Sequence, residues 1–256
     1  MKFNKNPANP NFKSIAWIPE WGMQDGLNTL YSNPNLYNSV SPVWFWPNSD
    51  GTLRALQSYN NQDLISFCRN NNVTVIPSIQ IENDDVELVS SILNESVDQH
   101  IDSIVNIVVQ NGYDGIDLDY ETTYLEDKDA LISFLKRLKE RLSENGKFLS
   151  FTVLSKWGDK VGYGFRPQTR EAQDWKLIGE IVDEFRIMSY DYRTRGNTIP
   201  GPKAPYSWYL AILRYAQENV PNEKIIMGIP LYAIDWKLVS NDKIDLTEYS
   251  TGESLY

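Results

Sequence analysis

Seven β-rich runs, most of them separated by helical patterns, constrain the fold of this chain more than any other feature. The runs cover 13–19, 39–46, 73–80, 115–121, 148–155, 184–190 and 224–232. Helices are predicted at 63–70, 84–93, 96–110, 129–143, 172–182 and 206–217. Repeated alternation of this kind indicates a parallel sheet covered by helices, either a doubly wound sheet or a closed (β/α)8 barrel.

A phosphate-binding turn would distinguish these two architectures. A doubly wound nucleotide-binding sheet carries a glycine-rich turn after its first strand, and this sequence has none. A length of 256 residues also suits one undivided barrel. We therefore predict an α/β fold, a (β/α)8 TIM barrel, as a single catalytic domain over 1–256. Only seven strands are identified, so the eighth is expected to be missing and the domain to be incomplete at its C-terminal end.

Three acidic residues alternate with apolar ones in the fourth run. Side chains of a strand point alternately to opposite faces, so Asp117, Asp119 and Glu121, the acid column, share one face. Neighbours in the column stand about 6.6 Å apart along the strand. At an effective dielectric constant of about 20, two charges at that spacing repel by about 2.5 kcal/mol. An enclosed acid column is therefore expected to retain a proton, which a general acid requires.

A half-exposed antiparallel strand offers a simpler reading of the same pattern, with acids that merely face water. For an isolated alternation of three acids, that reading is the commoner one. The predicted barrel favours the other, because its parallel strands are enclosed on both faces. Buried acids are costly and call for a chemical reason.

Composition narrows the chemistry to carboxylates. The net charge of −10 disfavours nucleic acid or an anionic membrane as a partner, and no apolar run reaches transmembrane length. Cys68, the only cysteine, is predicted to be a buried structural thiol. His100, the only histidine, is interpreted as a surface residue of a helix. One histidine supplies neither a histidine-rich zinc site nor the usual Ser-His-Asp relay, so no metal or other cofactor is expected.

Aromatic residues gather at the predicted C-terminal ends of the strands, where barrel enzymes place their active sites. They are Trp21, Trp44, Trp46, Trp157, Tyr232 and Trp236. A single tryptophan usually fills a core, but several beside acids at one mouth indicate a groove for sugars, whose C–H faces pack on aromatic planes. Tyr190 and Asp191 lie at the same mouth, at the end of the sixth run.

These motifs resemble glycoside hydrolase family 18, which contains chitinases and related endo-N-acetylglucosaminidases. The family pattern D-x-x-D-x-D-x-E on the fourth barrel strand matches Asp114 and the acid column, and its Met-x-Tyr-Asp motif on strand six matches 188–191. For Asp114 itself, the sequence is equally compatible with a structural and a functional role. The similarity extends over about 12–236. Three segments, 112–121, 177–191 and 224–236, resemble the bacterial branch of spore-cortex and cell-wall N-acetylglucosaminidases.

The resemblance implies cleavage of β-1,4 bonds next to N-acetylglucosamine, in chitin or peptidoglycan-type glycans, by substrate-assisted retaining catalysis. Glu121 would act as the general acid and then as the base. Asp119 would orient the acetamido group of the substrate, and Asp117 would share a proton with Asp119. Tyr190 would donate its hydroxyl to the acetamido group, and Asp191 would bond nearby sugar atoms.

Two departures weaken an ordinary chitinase assignment. The Ser-x-Gly-Gly of many chitinases is replaced by Val-Ile-Pro-Ser-Ile-Gln at 75–80, and the tryptophan usually carried by strand eight is not found. Two alternatives stay open: a non-catalytic carbohydrate-binding protein, and a barrel enzyme that uses the acid column to bind Mg²⁺. We expect a monomer. The substrate class favours the extracellular space or the cell envelope, although no signal peptide is visible.

Overall fold

The computed structural model describes residues 13–56, 62–159, 161–194 and 199–234, and the backbone of 237–240, 243–245 and 249–251. The strands are β1 Ile15–Ile18, β2 Ser39–Pro47, β3 Leu53–Ala55, β4 Thr74–Val75, β5 Ser78–Gln80, β6 Gly115–Asp119, β7 Phe148–Leu154, β8 Glu184–Met188, β9 Ile225–Met227, β10 Tyr232–Ile234, β11 Lys237–Ser240, β12 Lys243–Asp245 and β13 Tyr249–Thr251. The helices are α1 Met23–Ser32, α2 Gln62–Asn70, α3 Val86–Glu95, α4 Val97–Asn111, α5 Lys128–Glu144, α6 Pro167–Ala172, α7 Trp175–Ile181 and α8 Tyr206–Asn219.

The main sheet is parallel and curls into a half-barrel with helices on its outer face. Its strand order is β1-β2-β5-β6-β7-β8-β9, so the seven predicted strands follow one another in chain order. The short strand β4 also pairs with β2 in parallel, and β3 folds back on β2 as an antiparallel hairpin. The predicted α/β barrel architecture is confirmed in this form.

Strand boundaries differ from the prediction where local chemistry interrupts the ladder. The run 73–80 is divided into β4 and β5 at Ile76 and Pro77, because proline has no N–H to donate. The run 224–232 is shorter than predicted: β9 ends at Met227, and Tyr232 begins β10, which pairs with β13. Glu121 follows β6 by two residues, so it stands just past the end of the strand.

Two helical segments also differ from the prediction. The helix α1 was not predicted, because Gly26, Asn28 and Thr29 are weak helix formers. Tertiary packing compensates: a Cβ on Gly26 would lie 2.7 Å from Ile18 Cγ2, so only glycine lets α1 approach β1 this closely. The predicted helix 172–182 begins earlier and is divided into α6 and α7. Of the helices in the described residues, none is long and apolar enough to cross a membrane.

Apolar side chains fill the space between the sheet and the helices. From β6, Ile116 and Leu118 point outward and are fully buried. They belong to the same core as the apolar face of α5, formed by Leu131, Phe134, Leu135, Leu138 and Leu142. Each buried leucine contributes about 2 kcal/mol relative to exposure. Cys68 is a free, buried thiol in this core, as predicted.

Polar side chains occupy the opposite, inner face of the sheet, which encloses the lumen. The register places Asp117 beside Ser78 of β5 and Ser150 of β7. Three further side chains contact Asp117 in the same lumen: Trp17 and Thr152 by hydrogen bonds and Arg186 by an ion pair. Arg186 also donates to Ser41. The alternation of β6 therefore separates an apolar core from a polar lumen, and the reading in which the acids face bulk water is wrong for Asp117, which is fully buried.

His100 corrects a second prediction, because it is fully buried rather than on the surface. Its Nδ1 lies 3.0 Å from the Gly51 carbonyl oxygen, which can only accept, so Nδ1 carries the proton. Its Nε2 then accepts from the Tyr120 hydroxyl. Its ring also stacks on Phe134 at 5.6 Å. The histidine thus connects the β2–β3 turn to the end of β6 under the acid column.

This contact predicts a pH dependence of stability. Burial lowers the pKa of His100 to about 4. The unfolded chain therefore binds a proton between about pH 6.5 and 4 that the folded chain does not, so this stabilisation is complete above pH 6.5 and is lost as the pH falls toward 4. From pH 7 to 4.5 we expect His100 to account for a loss of roughly 2 to 3 kcal/mol in the free energy of unfolding.

Urea unfolding of the wild type and of His100→Gln at pH 7 and 4.5 measures this contribution. Glutamine can replace part of the hydrogen bonding but does not titrate, so the variant should lose less stability between the two pH values. Equal losses in the two proteins would contradict the prediction.

Candidate active site

Asp117, the innermost member of the acid column, is held by donors from three other strands, β5, β7 and β1. Ser150 Oγ donates at 2.7 Å, Ser78 Oγ at 2.8 Å and Thr152 Oγ1 at 3.1 Å. From β1, Trp17 Nε1 donates at 3.3 Å. A carboxylate with this many donors is oriented rigidly.

Arg186 provides the positive charge that faces Asp117. Its Nη1 lies 3.4 Å from Asp117 Oδ2 and donates to Ser41 Oγ at 2.6 Å. Its Nη2 and Nε donate to Glu184 Oε2 at 2.8 and 3.2 Å. The guanidinium is fully buried, and a buried ion pair of this kind is tolerated only when its remaining donors and acceptors are also bonded. The floor of the lumen is therefore a compensated network of charges.

Asp119, the middle member, lies in a different environment. Its Oδ2 accepts from Gln80 Nε2 at 3.3 Å. Its Oδ1 is buried and accepts no hydrogen bond from any residue that the structure describes. Burial, and then the charges of Glu121 and Asp117, raise the pKa of Asp119 well above its ordinary value. This carboxyl group therefore favours the protonated form and has one oxygen available for a partner.

Glu121, the outermost member, is half-buried at the mouth of the lumen. Burial raises its pKa, and Asp84 and Asp191 act in the same direction. Arg166 opposes them: its Nη1 lies 3.1 Å from Glu121 Oε2 and 2.8 Å from the Glu121 carbonyl oxygen. The net effect is a raised pKa, as a general acid near neutral pH requires.

Tyr190 and Asp191 follow the end of β8 and face the acid column. Burial raises the pKa of the Tyr190 hydroxyl well above its ordinary value, so the hydroxyl keeps its proton and can donate it in a hydrogen bond. The Tyr190 ring makes edge contacts with Trp17 and Tyr232 at 6.4 and 6.3 Å. Asp191 has a positive φ of 62°, accepts from the Tyr232 hydroxyl at 2.8 Å and forms an ion pair with Lys203.

Comparison with known proteins identifies this arrangement. Residues 13–255 match the family model described as Glycosyl hydrolases family 18. The chain belongs to glycoside hydrolase family 18. The family expected from the acid column and the Met-x-Tyr-Asp motif is thereby confirmed.

Curated and solved relatives agree with the family 18 assignment. A cortical fragment-lytic enzyme of Bacillus anthracis is 34% identical over 166 residues, which are 64% of this chain and 37% of that protein. The crystal structure of a spore cortex-lytic enzyme of Bacillus megaterium has 26% identity and a TM-score of 0.82, and covers 97% of this chain and 57% of that one. A chitinase structure from Chromobacterium violaceum, with 22% identity, a TM-score of 0.77 and coverage of 86% of this chain and 68% of that one, shows the same fold. The chain spans about a third of the length of the first curated relatives it matches.

Within this family 18 site, the predicted aromatic residues have different environments. Trp21 is 76% exposed in the short 3-10 turn Glu20–Gly22 that follows β1. Trp46 is half-buried near the end of β2, and the guanidinium carbon of Arg54 lies 4.6 Å from the centre of its ring. Trp157 is half-buried against Trp208, and Tyr232 is bonded to Asp191. Trp236 lies outside the residues whose side chains are described. Trp21, Trp46, Trp157 and Tyr232 therefore remain candidates for sugar contacts.

The prediction that Trp44 binds substrate is wrong. Its side chain is completely buried and packs against Tyr113 at 5.6 Å in the core between sheet and helices. The alternation of β2 explains the error: Trp44 and Trp46 share a face of the extended strand, but Trp46 lies near the strand end and is only half-buried. Asp114 has a structural contact, because its Oδ2 accepts from the Val75 N–H at 2.7 Å and joins β6 to β4.

Four site residues were not predicted from the sequence. Trp17, Gln80 and Arg186 contact the acid column from β1, β5 and β8, and Arg166 contacts it from the loop before α6. The alternation of β8 held a signal, since Glu184 and Arg186 fall on one face and the apolar Phe185 and Ile187 on the other. No periodic signal marked Arg166.

The Mg²⁺ alternative has no support from side-chain placement. Across the described residues, no group of three or more His, Cys, Asp or Glu side chains converges in a way that could hold a metal ion. Asp117 is instead bonded by protein donors and by Arg186. A metal would have to displace these partners.

Gly228 supports the position of Tyr190 and provides a prediction. A Cβ at this position would lie 2.6 Å from Tyr190 Cε1 and 2.8 Å from the Ile187 carbonyl oxygen. Gly228→Ala should therefore displace the Tyr190 ring, destabilise the fold by about 1 to 3 kcal/mol and lower kcat about tenfold or more. Thermal melting and steady-state kinetics measure both effects. Gly162→Ala is the control, because a Cβ there meets no atom within 4 Å. An unperturbed Gly228→Ala enzyme would contradict the packing argument.

Proposed function

We propose that this protein is a glycoside hydrolase that cleaves β-1,4 bonds next to N-acetylglucosamine by substrate-assisted, retaining catalysis. One observation carries the proposal: the enclosed acid column ends in Glu121 at the mouth of the lumen, and burial raises the pKa of this residue. Family 18 membership supports it, because substrate-assisted family 18 enzymes depart from the two-carboxylate scheme of other glycosidases.

Glu121 first donates its proton to the glycosidic oxygen as the bond to the sugar breaks. The acetamido oxygen of the substrate attacks the anomeric carbon from the other side and forms a bicyclic oxazolinium ion. Ionised Glu121 then takes a proton from water as the water opens this intermediate. Two inversions give retention, and Glu121 regains its proton.

The other polar residues act on the acetamido group. Asp119 accepts from its N–H through the buried Oδ1, which has no other donor among the described residues, and in its ionised form it offsets the positive charge of the oxazolinium ion. Asp117 shares a proton with Asp119, so that Asp119 can be ionised while the oxazolinium ion exists. Tyr190 donates its hydroxyl to the acetamido oxygen, and Asp191 bonds a nearby sugar hydroxyl.

For the substrate, we propose an N-acetylglucosamine-containing glycan of the chitin or peptidoglycan type. The relatives include enzymes named for the spore cortex and chitinases, which favours these two classes over other polysaccharides. The exposed Trp21 and the half-buried Trp46 and Trp157 offer planes on which the C–H faces of successive sugars can pack.

Product analysis tests the proposal. The protein is incubated with chitooligosaccharides and with peptidoglycan fragments, and the products are read by mass spectrometry, with Glu121→Gln as the inactive control. New reducing ends at N-acetylglucosamine, formed equally with and without EDTA, would support the proposal. Binding of the glycans without products would favour the carbohydrate-binding alternative, and activity abolished by EDTA would favour the metal-dependent one.

A further inference from the structure

Arg166 makes the most direct charged contact with the catalytic acid. One nitrogen, Nη1, donates to both the carbonyl oxygen and Oε2 of Glu121, at 2.8 and 3.1 Å. The other, Nη2, pairs with Asp84. The Arg166 side chain is only 18% exposed, so these charge-assisted bonds are partly protected from water. The guanidinium therefore bridges the end of β6 and the loop that follows β5.

The backbone at both ends of this bridge is unusual. Arg166 has a positive φ of 47°, directly before Pro167, and Asn83 and Asp84 have φ values of 54° and 55°. Asparagine and aspartate enter this region more readily than other residues with a Cβ, so the strain falls mainly on Arg166, and it persists only when surrounding contacts compensate for it. The two loops are thus held in the conformations that bring Arg166 and Asp84 to Glu121.

The charged and titratable groups around Glu121 fall into two sets. Asp84, Asp191 and the neighbouring Asp119 are acidic and favour a protonated Glu121. Tyr190 faces the same cavity and stays neutral. Among the residues that the structure describes, Arg166 is the cation that contacts Glu121, and it favours the ionised form. The protonation of Glu121 therefore depends on how strongly Arg166 pairs with Glu121 in competition with Asp84.

We propose that Arg166 is a positioning residue that stabilises the ionised form of Glu121 between the two catalytic steps. Asp84 competes for the same guanidinium and so weakens the ion pair between Arg166 and Glu121. The inference rests on the proposed function. After Glu121 gives its proton to the leaving oxygen, the bond from Nη1 to its carboxylate becomes a full ion pair. The bond weakens again when Glu121 takes a proton from water.

Two substitutions at opposite ends of the bridge give opposite expectations. Arg166→Gln removes the cation, so the pKa of Glu121 should rise by about one unit or more. Asp84→Asn removes the competitor and leaves Arg166 to Glu121, so the pKa of Glu121 should fall. Asparagine also tolerates the positive φ at position 84, which preserves the loop. Arg141→Gln is the control, because Arg141 forms a surface ion pair with Asp102 at 2.9 Å, away from the site.

The measurement is a ¹³C NMR titration of glutamate side-chain carboxyl groups, in which the Glu121 signal is assigned by its loss in Glu121→Gln. The pH profile of kcat supplies a second readout: its basic limb should move to higher pH in Arg166→Gln and to lower pH in Asp84→Asn. In Arg166→Gln, kcat should also fall about tenfold with little change in KM, because the ionised Glu121 between the steps loses its partner.

An unchanged Glu121 titration in both variants, or shifts of the same sign, would overturn the proposal. The titration does not require turnover, so it separates this inference from the proposed function. A wild-type protein that cleaves none of the glycans would refute the hydrolase assignment, while opposite shifts of the Glu121 titration would still establish the role of Arg166.

Discussion

Glu121→Gln is expected to lower kcat on N-acetylglucosamine oligosaccharides by about 10⁴-fold while the glycans still bind. Glutamine has nearly the same shape as glutamate, and its side-chain oxygen can still accept from Arg166 Nη1, as can the unchanged main-chain carbonyl. The amide cannot release a proton to the glycosidic oxygen or take one from water. Both steps of the proposed mechanism are therefore blocked, and the cleft keeps its shape.

Single-turnover kinetics with a labelled chitooligosaccharide measures cleavage, and equilibrium binding of the same ligand measures the affinity. Glu140→Gln is the matched control: it removes a carboxylate from the exposed face of α5, and both quantities should stay at the wild-type values. If Glu121→Gln cleaves at a rate within tenfold of the wild type, Glu121 is not the proton donor, and the retaining mechanism proposed here would lose its central group.

The strand-helix order and the acid column could be predicted from the sequence because both arise from short-range periodicity. The alternation along 115–121 alone determines which face each side chain takes, and the sheet then encloses one face. The motif match added the family. Glu121 was correctly predicted at the mouth although it lies two residues beyond the end of β6. The chain continues past the strand toward the mouth, so this placement does not require Glu121 to take part in the hydrogen bonds of the sheet.

The errors concern contacts between distant segments, which no local pattern encodes. His100 has an apolar helical neighbourhood, but its burial depends on Gly51 and Tyr120, 49 and 20 residues away. Arg166 reaches Glu121 across 45 residues, through a loop with an unusual φ. Trp44 was assigned to the mouth by its residue type, whereas its place along β2 puts it under the helices.

Asp119→Asn should lower activity and raise stability at the same time. Burial and the charges of Glu121 and Asp117 raise the pKa of Asp119 well above its ordinary value, so its ionised form is disfavoured in the fold. The stability of the wild type is therefore unaffected by this group below the ordinary carboxyl pKa near 4, and falls as the pH rises toward the raised pKa of Asp119. Asparagine does not titrate and avoids that loss. At pH 8 we expect the melting temperature of Asp119→Asn to exceed that of the wild type by about 2 to 4 °C.

The activity of Asp119→Asn should fall about 10²-fold or more on N-acetylated sugars, because an amide cannot offset the charge of the oxazolinium ion. Equal loss on a non-acetylated substrate would argue against participation of the acetamido group. Asp117→Asn provides a contrast of opposite sign: it leaves buried Arg186 without its Asp117 partner and should destabilise the fold by about 3 kcal/mol. Thermal melts at pH 4 and 8 measure both variants. A fall in the melting temperature of Asp119→Asn at pH 8 would mean that Asp119 serves the fold like Asp117, rather than being held in the lumen for catalysis.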